Sequence, residues 1–280
     1  MSNLSNKAML GPSMAEQRVI LTRLLCLLFF FIYWIRWLNH LCLSQITGAT
    51  FTHVQADNSY WLLHLLNIPQ FLLSNYYISL SFDCFYSVLI LLVYIRPNSF
   101  IYSALFFVLQ SVYFITFHSA MTHHAHQSSA LPFLAFLLCF KENLSFVFVL
   151  RFLRYYVCFI FLSAALWKIT RGTFASGGQM EAILRVQHVD YLAQNSETNY
   201  GHFIGGLIKQ GEWVSLLWPS AILLQFSFIV GFFTRRLDKF LLLFLLAFLI
   251  MDYYIMGLNF GEFAVWGIVF VTWHGFEPKD

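Results

Sequence analysis

Residues 19–38 read VILTRLLCLLFFFIYWIRWL, a run in which only Arg23 and Arg36 carry a charge. A helix of about 20 apolar residues covers the hydrocarbon core of a bilayer. It also satisfies its own backbone N–H and C=O groups, which the lipid interior requires. No small-residue cleavage site follows the run, and Arg36 and Trp37 close it. We therefore interpret it as an uncleaved transmembrane helix rather than a signal peptide.

The whole chain has the composition of this run. Of its 280 residues, 59% are hydrophobic and 20% aromatic, while only 10% are charged, against roughly 25% in an average soluble domain. We therefore predict an all-α fold: a polytopic integral membrane helix bundle of about seven to eight transmembrane helices, with interfacial helices on its outer side. We expect membrane lipid to surround the outer faces of these helices. The net charge of +3 is small and dispersed, so no nucleic-acid partner is expected.

Apolar runs of suitable length predict seven spans and one ambiguous segment. The predicted spans cover about 17–39, 76–95, 100–118, 128–140, 146–167, 213–233 and 240–257. The fourth is short, and the alternatives are a re-entrant or tilted segment or one that continues through the histidine-rich stretch before it. Gly257, Asn259 and Gly261 interrupt the last apolar region. Residues 261–273 are then either a short eighth span or a half-helix folded back into the protein, followed by a short tail at 274–280.

Basic residues alternate between loops in a way that predicts an orientation. Lys and Arg precede the first predicted span and occupy the turns after the second, fourth and sixth, whereas 40–75 and 119–127 contain neither. The exceptions lie in the long loop 168–212, which contains Lys168, Arg171, Arg185 and Lys209. By the positive-inside rule the N-terminus is cytoplasmic, with a tail at 1–16. We expect a single membrane domain over 1–280, with extracytoplasmic loops at 40–75 and 168–212.

Two loop segments have the pattern of interfacial helices. SGGQMEAILRVQHVDYLAQN, residues 176–195, is predicted to be an amphipathic helix lying along the outer interface. Its apolar members are Met180, Ile183, Leu184, Val186 and Leu192. YWLLHLLNIPQFLL, residues 60–73, is predicted to form a second such helix, broken at Pro69. Together they would cover a lipid-accessible cavity between the ends of the spans.

Four histidines lie within nine residues of the stretch FHSAMTHHAH, residues 117–126. Imidazole changes its charge near neutral pH, so this stretch suits proton transfer or metal binding. No Asp, Glu or Cys lies near His123, His124 and His126 to complete a set of metal ligands. The pattern HHxH also differs from the HExxH of helical zinc sites, and no metal is expected.

Ionisable residues inside apolar spans are costly in lipid and are therefore functional candidates. Asp83 and Asp252 are the clearest cases, and each either pairs with an arginine inside the bundle or handles protons. Arg151 and Arg154 lie one turn apart near the cytoplasmic end of their span, where we expect them to extend to the interface.

Lys168 follows directly on an apolar run and precedes a glycine-rich loop. Two interpretations are open. In apolar surroundings the amine could act as a base. Alternatively Lys168 is an ordinary interfacial lysine, with Trp167 as its neighbour in an aromatic belt.

Three segments resemble vitamin K-dependent gamma-carboxylases and their bacterial relatives, the horizontally transferred transmembrane (HTTM) domain family. LSAALWKITRGTFASGGQMEAIL, residues 162–184, is similar to the family's helix end, with Lys168 in the place of the catalytic lysine. There Phe174 takes the place of a Trp, and Gly177 and Met180 that of the following pair. MTHHAHQSSALPFLAFLLCF, residues 121–140, resembles the family's histidine-containing stretch. The third segment is FLIMDYYIMGLNFGEFAVWGIVF, residues 248–270.

The resemblance implies a quinol-linked oxidoreductase or lyase in a bacterial inner membrane, acting at the extracytoplasmic face on a vitamin K-like naphthoquinol. Lys168 would be the base, with His126 or His124 as its partner. The expected contacts to the quinol are His123, Trp167, Phe174 and Met180. The competing hypothesis is a non-catalytic membrane subunit that anchors or escorts a partner membrane or secreted protein. A transporter ranks last, because the two halves show little hydropathy symmetry.

Overall fold

The structure is a computed structural model, and it describes residues 13–48, 58–120, 129–175, 178–209, 211–257 and 261–271. Its α-helices are α1 (Met14–Leu38), α2 (Asn58–Leu65), α3 (Ile68–Leu73), α4 (Tyr76–Ile95), α5 (Phe100–Ala120), α6 (Ala130–Leu137), α7 (Asn143–Thr170), α8 (Gln179–Asn195), α9 (Asn199–Lys209), α10 (Gly211–Phe226) and α11 (Asp238–Met256). Short 3₁₀ helices cover Thr173–Ala175, Ser227–Phe232 and Gly261–Phe270.

Six of the described helices are long and apolar enough to cross a membrane: α1, α4, α5, α7, α11, and α10 together with the 3₁₀ helix that continues it. Less than half of each of these segments is buried inside the protein. Their exposed faces carry large apolar side chains such as Phe31, Leu91 and Phe148, which lipid accommodates and water does not. The prediction of an all-α membrane helix bundle is confirmed, and the chain is an integral membrane protein.

Two segments counted among the predicted seven to eight spans are short. The helix expected at 128–140 is α6, with 8 residues and a length of about 12 Å. The segment Gly261–Phe270 has 10 residues and extends about 20 Å as a 3₁₀ helix. Neither alone reaches the roughly 30 Å of a bilayer core. Gly257 ends α11 in the left-handed conformation, with a φ of 64°, so the break expected there is confirmed.

The chain between α5 and α7 returns to the end of the bundle at which α5 begins. Lys141 Nζ donates hydrogen bonds to the carbonyl oxygens of Pro97 and Leu138 at 2.9 and 2.6 Å, and to Ser103 Oγ at 2.6 Å. Pro97 precedes α5 and Ser103 lies in its first turn. The turn that precedes α7 therefore lies beside the start of α5.

The break in the segment 60–73 lies before Pro69 rather than at it. Helix α2 ends at Leu65, and Asn67 adopts a left-handed φ of 54°. Pro69 then stands in the first turn of α3, where its missing N–H has no partner to lose and its fixed φ suits the helix. The proline therefore begins the second helix instead of interrupting a single one.

The chain forms two compact units, Met1–Leu150 with Trp273–Asp280 and Arg151–Thr272. In the first, Phe29 of α1 meets Phe106 of α5 edge to face, with ring centroids 5.0 Å apart. In the second, Phe161 of α7 stacks on Phe228 with ring centroids 4.2 Å apart. Each unit therefore has its own aromatic core.

Candidate active site around Lys168

Lys168 lies on the face of α7 that is turned towards the interior of the second unit. The buried residues Arg154, Cys158, Phe161 and Ala165 precede it along this face. Intervals of three and four residues keep them on one side of a helix, and Lys168 continues the same series. Its position is therefore set by the buried stripe of α7 and not by the helix end alone.

The amine of Lys168 is held inside the unit by α10. Its Nζ donates a hydrogen bond to Gln225 Oε1 at 2.7 Å and lies 5.3 Å from the centroid of the Trp218 ring. Helical side chains lean towards the N-terminus of their own helix. A lysine in the last turn of α7 therefore reaches back into the unit. An ordinary interfacial lysine would instead extend its amine to water or lipid headgroups.

A carboxylate accompanies the amine. Asp252, in the last turns of α11, is partly buried and close enough to Lys168 to interact with it electrostatically. Gln225 is buried on α10. An amine, an amide and a carboxylate from three helices therefore occupy one region of the second unit. Charges in a membrane interior are stable when they are paired or neutralised by proton transfer, so these groups are candidates for proton transfer.

The segment that follows α7 is tied to the same region. Gly172 has a φ of 71°, a conformation that favours glycine after a helix end. Thr173 Oγ1 donates to the Lys168 carbonyl at 2.8 Å, and Trp218 Nε1 donates to the Thr173 carbonyl at 3.0 Å. Trp218 thus fixes the loop and forms one side of the surroundings of the lysine amine.

Three of the other residues expected to contact a quinol are described, and the cluster of one of them, Met180, reaches Trp218. Trp167 is exposed, and the Arg171 guanidinium lies 3.8 Å from the centroid of its ring. Phe174 is 39% exposed in the 3₁₀ helix after α7. Met180 is buried in an apolar cluster with residues such as Leu184. The structure therefore places Lys168 in a polar site but Met180 in a hydrophobic core.

The histidines proposed as partners of Lys168, His126 and His124, and the neighbouring His123 lie outside the described residues. Among the residues that the structure does describe, no group of three or more His, Cys, Asp or Glu is arranged to hold a metal ion. The last described residues of the histidine-rich stretch belong to α5, where His118 is buried.

A second group of buried polar residues in the same unit is held together by hydrogen bonds around Arg154. Arg154 donates to both carboxylate oxygens of Asp238 at 2.6 to 3.0 Å, and to the carbonyls of Gly231 and Thr234 at 2.6 and 2.8 Å. Both charged side chains are 2% exposed. The expectation that Arg154 extends to the interface is wrong, because this carboxylate and two carbonyls satisfy it inside the protein.

The first unit contains a buried polar cluster of its own. Asp83 accepts a hydrogen bond from the Ser44 N–H at 2.9 Å and interacts electrostatically with Arg36. The Arg36 guanidinium lies 4.5 Å from the centroid of the Phe117 ring and 5.1 Å from that of Tyr113. Asp83 therefore lies within electrostatic range of an arginine of the same unit, and the choice between pairing and proton handling stays open.

Sequence reasoning singled out Lys168 and Asp252 separately and missed Gln225. The feature of the sequence that could have identified Gln225 is its position on a buried helix face. Gln225 lies three residues after the buried Ile222 and three before the buried Phe228, so a polar side chain interrupts an otherwise apolar helix face.

Searches of family models, curated proteins and solved structures find no match to this chain.

Proposed function

We propose that this protein is a quinol-linked membrane oxidoreductase or lyase in which Lys168 accepts a proton. The observation that carries the proposal is the inward-turned amine, bound to Gln225 and within electrostatic range of Asp252. A lysine that serves only as an interfacial anchor keeps its charged group in water or among headgroups. Lys168 instead places its amine beside an amide and an indole ring, within electrostatic range of a carboxylate.

The residues of this site suit proton transfer on a phenolic ring. A bound naphthoquinol would supply hydroxyl protons to these residues, and its two electrons would pass to dioxygen. Lys168 takes a proton from a hydroxyl when its amine is neutral, and Asp252 offers the next acceptor for that proton. Gln225 orients the amine through its side-chain oxygen. The resemblance assigns the role of partner to His126 or His124.

The ring itself has to lie beside Lys168 rather than deeper in the second unit. The stack of Phe161 on Phe228, with centroids 4.2 Å apart, leaves no space for a flat ring between them. Met180 is likewise enclosed by its cluster. Trp218, whose ring lies next to the amine, is the aromatic surface to which we assign the quinol.

We propose a cytoplasmic N-terminus and an active face on the extracytoplasmic side of a bacterial inner membrane. The support comes from the first unit, where Arg18 donates to Asn98 and Asn143 at 2.7 and 3.0 Å. Lys141 lies at this same end of the unit. Under the positive-inside rule this basic end faces the cytoplasm.

The test is whether the full-length protein, purified in mild detergent, retains a naphthoquinone. Organic extraction followed by absorbance spectroscopy and mass spectrometry measures the ratio of quinone to protein. We expect a ratio near one for the unaltered protein and a lower ratio for Trp218→Leu, which removes the ring but keeps an apolar side chain. Phe233→Leu, at an exposed aromatic residue elsewhere in the unit, is the matched control.

A protein that retains no quinone, and binds none when reduced naphthoquinone is added, contradicts the proposal. Copurification with a second protein in that case supports the competing hypothesis, a non-catalytic membrane subunit. Retention that is unaffected by Trp218→Leu contradicts the assigned position of the ring.

A further inference from the structure

A cavity of about 530 Å³ lies at the C-terminal end of α11, within the second unit. Four tyrosines line it: Tyr191 from α8, Tyr200 from α9, and Tyr253 and Tyr254 from α11. Its size falls in the range of sites that take small ligands or parts of larger ones. The Lys168 side chain is not among the residues that line it.

The tyrosine rings are set at steep angles to one another. Tyr191 and Tyr200 meet edge to face at 76°, with centroids 5.3 Å apart. Tyr253 and Tyr254 meet at 89° and 5.1 Å. Tyr200 also donates a hydrogen bond through its hydroxyl to the Tyr254 carbonyl at 3.2 Å. Rings at such angles can present their faces to one point from different directions, which is how aromatic cages surround an ammonium group.

Buried His188 adds a hydrogen-bond acceptor to this wall. Its Nε2 lies 2.9 Å from the carbonyl oxygen of Ile255. A carbonyl only accepts, so Nε2 carries the hydrogen, and in the neutral ring Nδ1 has a free lone pair. Among the described residues that line the cavity, none is a lysine or an arginine. This described lining has π faces, hydroxyl groups, an imidazole and the amide of Gln187 but no permanently positive side chain, which favours a cationic ligand over an anionic one.

The position of His188 depends on a glycine. Gly257 has a φ of 64°, and a Cβ there would stand 2.9 Å from His188 Cε1. Any other residue would be strained and would press on the imidazole ring. The turn that ends α11 is therefore shaped to admit the histidine.

The cavity lies at the depth of lipid headgroups. Tyr253 and Tyr254 belong to the last turn of a helix long enough to cross the membrane. The ends of such helices stand at the boundary between hydrocarbon and water, where tyrosine is enriched. Tyr76 and Tyr77 form a similar edge-to-face pair at the start of α4, so they provide a matched comparison for these two rings.

We infer that this tyrosine-lined cavity binds a quaternary ammonium group, such as the choline of a phospholipid headgroup. The rings surround the cation, and the headgroup phosphate stays in the aqueous layer. This inference is independent of the function proposed for Lys168, since it requires neither a quinol nor catalysis.

The test compares two pairs of variants of the full-length protein. Tyr253→Leu with Tyr254→Leu removes two rings of the cavity, and Tyr76→Leu with Tyr77→Leu removes the matched pair on α4. Each delipidated protein is exposed to mixed micelles containing equal amounts of phosphatidylcholine and phosphatidylglycerol, repurified, and its lipids are measured by mass spectrometry. A second arm measures binding of the soluble probe tetramethylammonium.

We expect the unaltered protein and the α4 pair to retain phosphatidylcholine in excess. The Tyr253/Tyr254 pair should lower this preference about tenfold, the sum of two cation–π contacts. Tyr253→Phe with Tyr254→Phe keeps both π faces and should retain the preference, which excludes misfolding as the cause. Tetramethylammonium binding without lipid enrichment supports the same site with a soluble ligand. Equal retention of both lipids together with no tetramethylammonium binding overturns the inference, as does equal loss in the two Leu pairs.

Discussion

Asp238→Asn should destabilise the second unit far more than the loss of one hydrogen bond. The substitution keeps the shape of the side chain and one oxygen acceptor but removes the negative charge that faces Arg154. The guanidinium would remain 2% exposed, with only the Gly231 and Thr234 carbonyls and a neutral amide around it. Removal of one partner from a buried ion pair typically costs 3 to 5 kcal/mol, because the other charge is left uncompensated.

Two effects of different size compete in this prediction. A side-chain hydrogen bond between membrane helices contributes on average only about 0.6 kcal/mol. Arg154 has three contacts of 2.6 to 3.0 Å with Asp238, and an asparagine oxygen can replace part of them. Lost hydrogen bonds alone would therefore cost about 1 to 2 kcal/mol, so a cost of about 3 kcal/mol or more identifies the uncompensated charge.

The assay is reversible unfolding of the detergent-solubilised protein by a denaturing detergent, followed by circular dichroism. Glu181→Gln is the matched control, since it makes the same carboxylate-to-amide change in a partly exposed pair with Arg185. We expect it to change the free energy of unfolding by about 0.5 kcal/mol or less. Equal effects of the two substitutions would refute the assignment of Arg154 and Asp238 as a buried ion pair that stabilises the unit.

Three further predictions follow from the packing and charges. Gly231→Ala would bring a Cβ into steric conflict with Cys158 Sγ and should destabilise the protein by about 1 to 3 kcal/mol. Gly205→Ala, where a Cβ would have nothing within 4 Å, should be neutral or stabilising. Thermal unfolding distinguishes the two variants, and equal effects would show that the residues around Gly231 move to accept the methyl group. Burial lowers the pKa of Lys141 to about 8 from 10.5, so pulsed acylation followed by mass spectrometry should give a modification midpoint near pH 8 in the folded protein and near pH 10.5 in the unfolded protein. The free energy of unfolding should rise between these pH values because the unfolded chain then binds more protons. A midpoint near pH 10.5 in the folded protein would contradict the burial of this amine. Asp83→Leu removes the acceptor of the Ser44 N–H and the electrostatic attraction to Arg36 and should cost about 1 to 3 kcal/mol, and a neutral outcome would contradict a stabilising role for this carboxylate.

The membrane fold was largely predictable because it depends on local properties of the chain. Apolar runs give the spans within a few residues, as for α4 and α11, and Gly257 marks the end of α11 as expected. Helix ends within apolar stretches were less certain. Residues 128–140 were predicted as one span, but α6 covers only 130–137, since apolarity alone does not determine where backbone hydrogen bonding stops.

The polar sites were predictable only as separate residues. Arg154 and Asp238 are 84 positions apart, and Lys168 and Gln225 are 57 apart. Hydrophobic periodicity shows which face of a helix is buried but not which helix it meets. The placement of Met180 has the same cause, because a motif position cannot show whether a side chain contacts a ligand or packs in a core.

The central claim, that the Lys168 amine accepts a proton from a quinol, is tested most directly by the rate at which purified protein in nanodiscs oxidises reduced naphthoquinone under air. General-base catalysis typically contributes 10²- to 10⁴-fold, so Lys168→Ala should lower the rate at least about a hundredfold. It should change the free energy of unfolding by only about 1 kcal/mol, since it removes one side-chain hydrogen bond. Lys239→Ala, at an exposed lysine, should leave the rate unchanged. A folded Lys168→Ala protein that turns over as fast as the unaltered one would contradict the account.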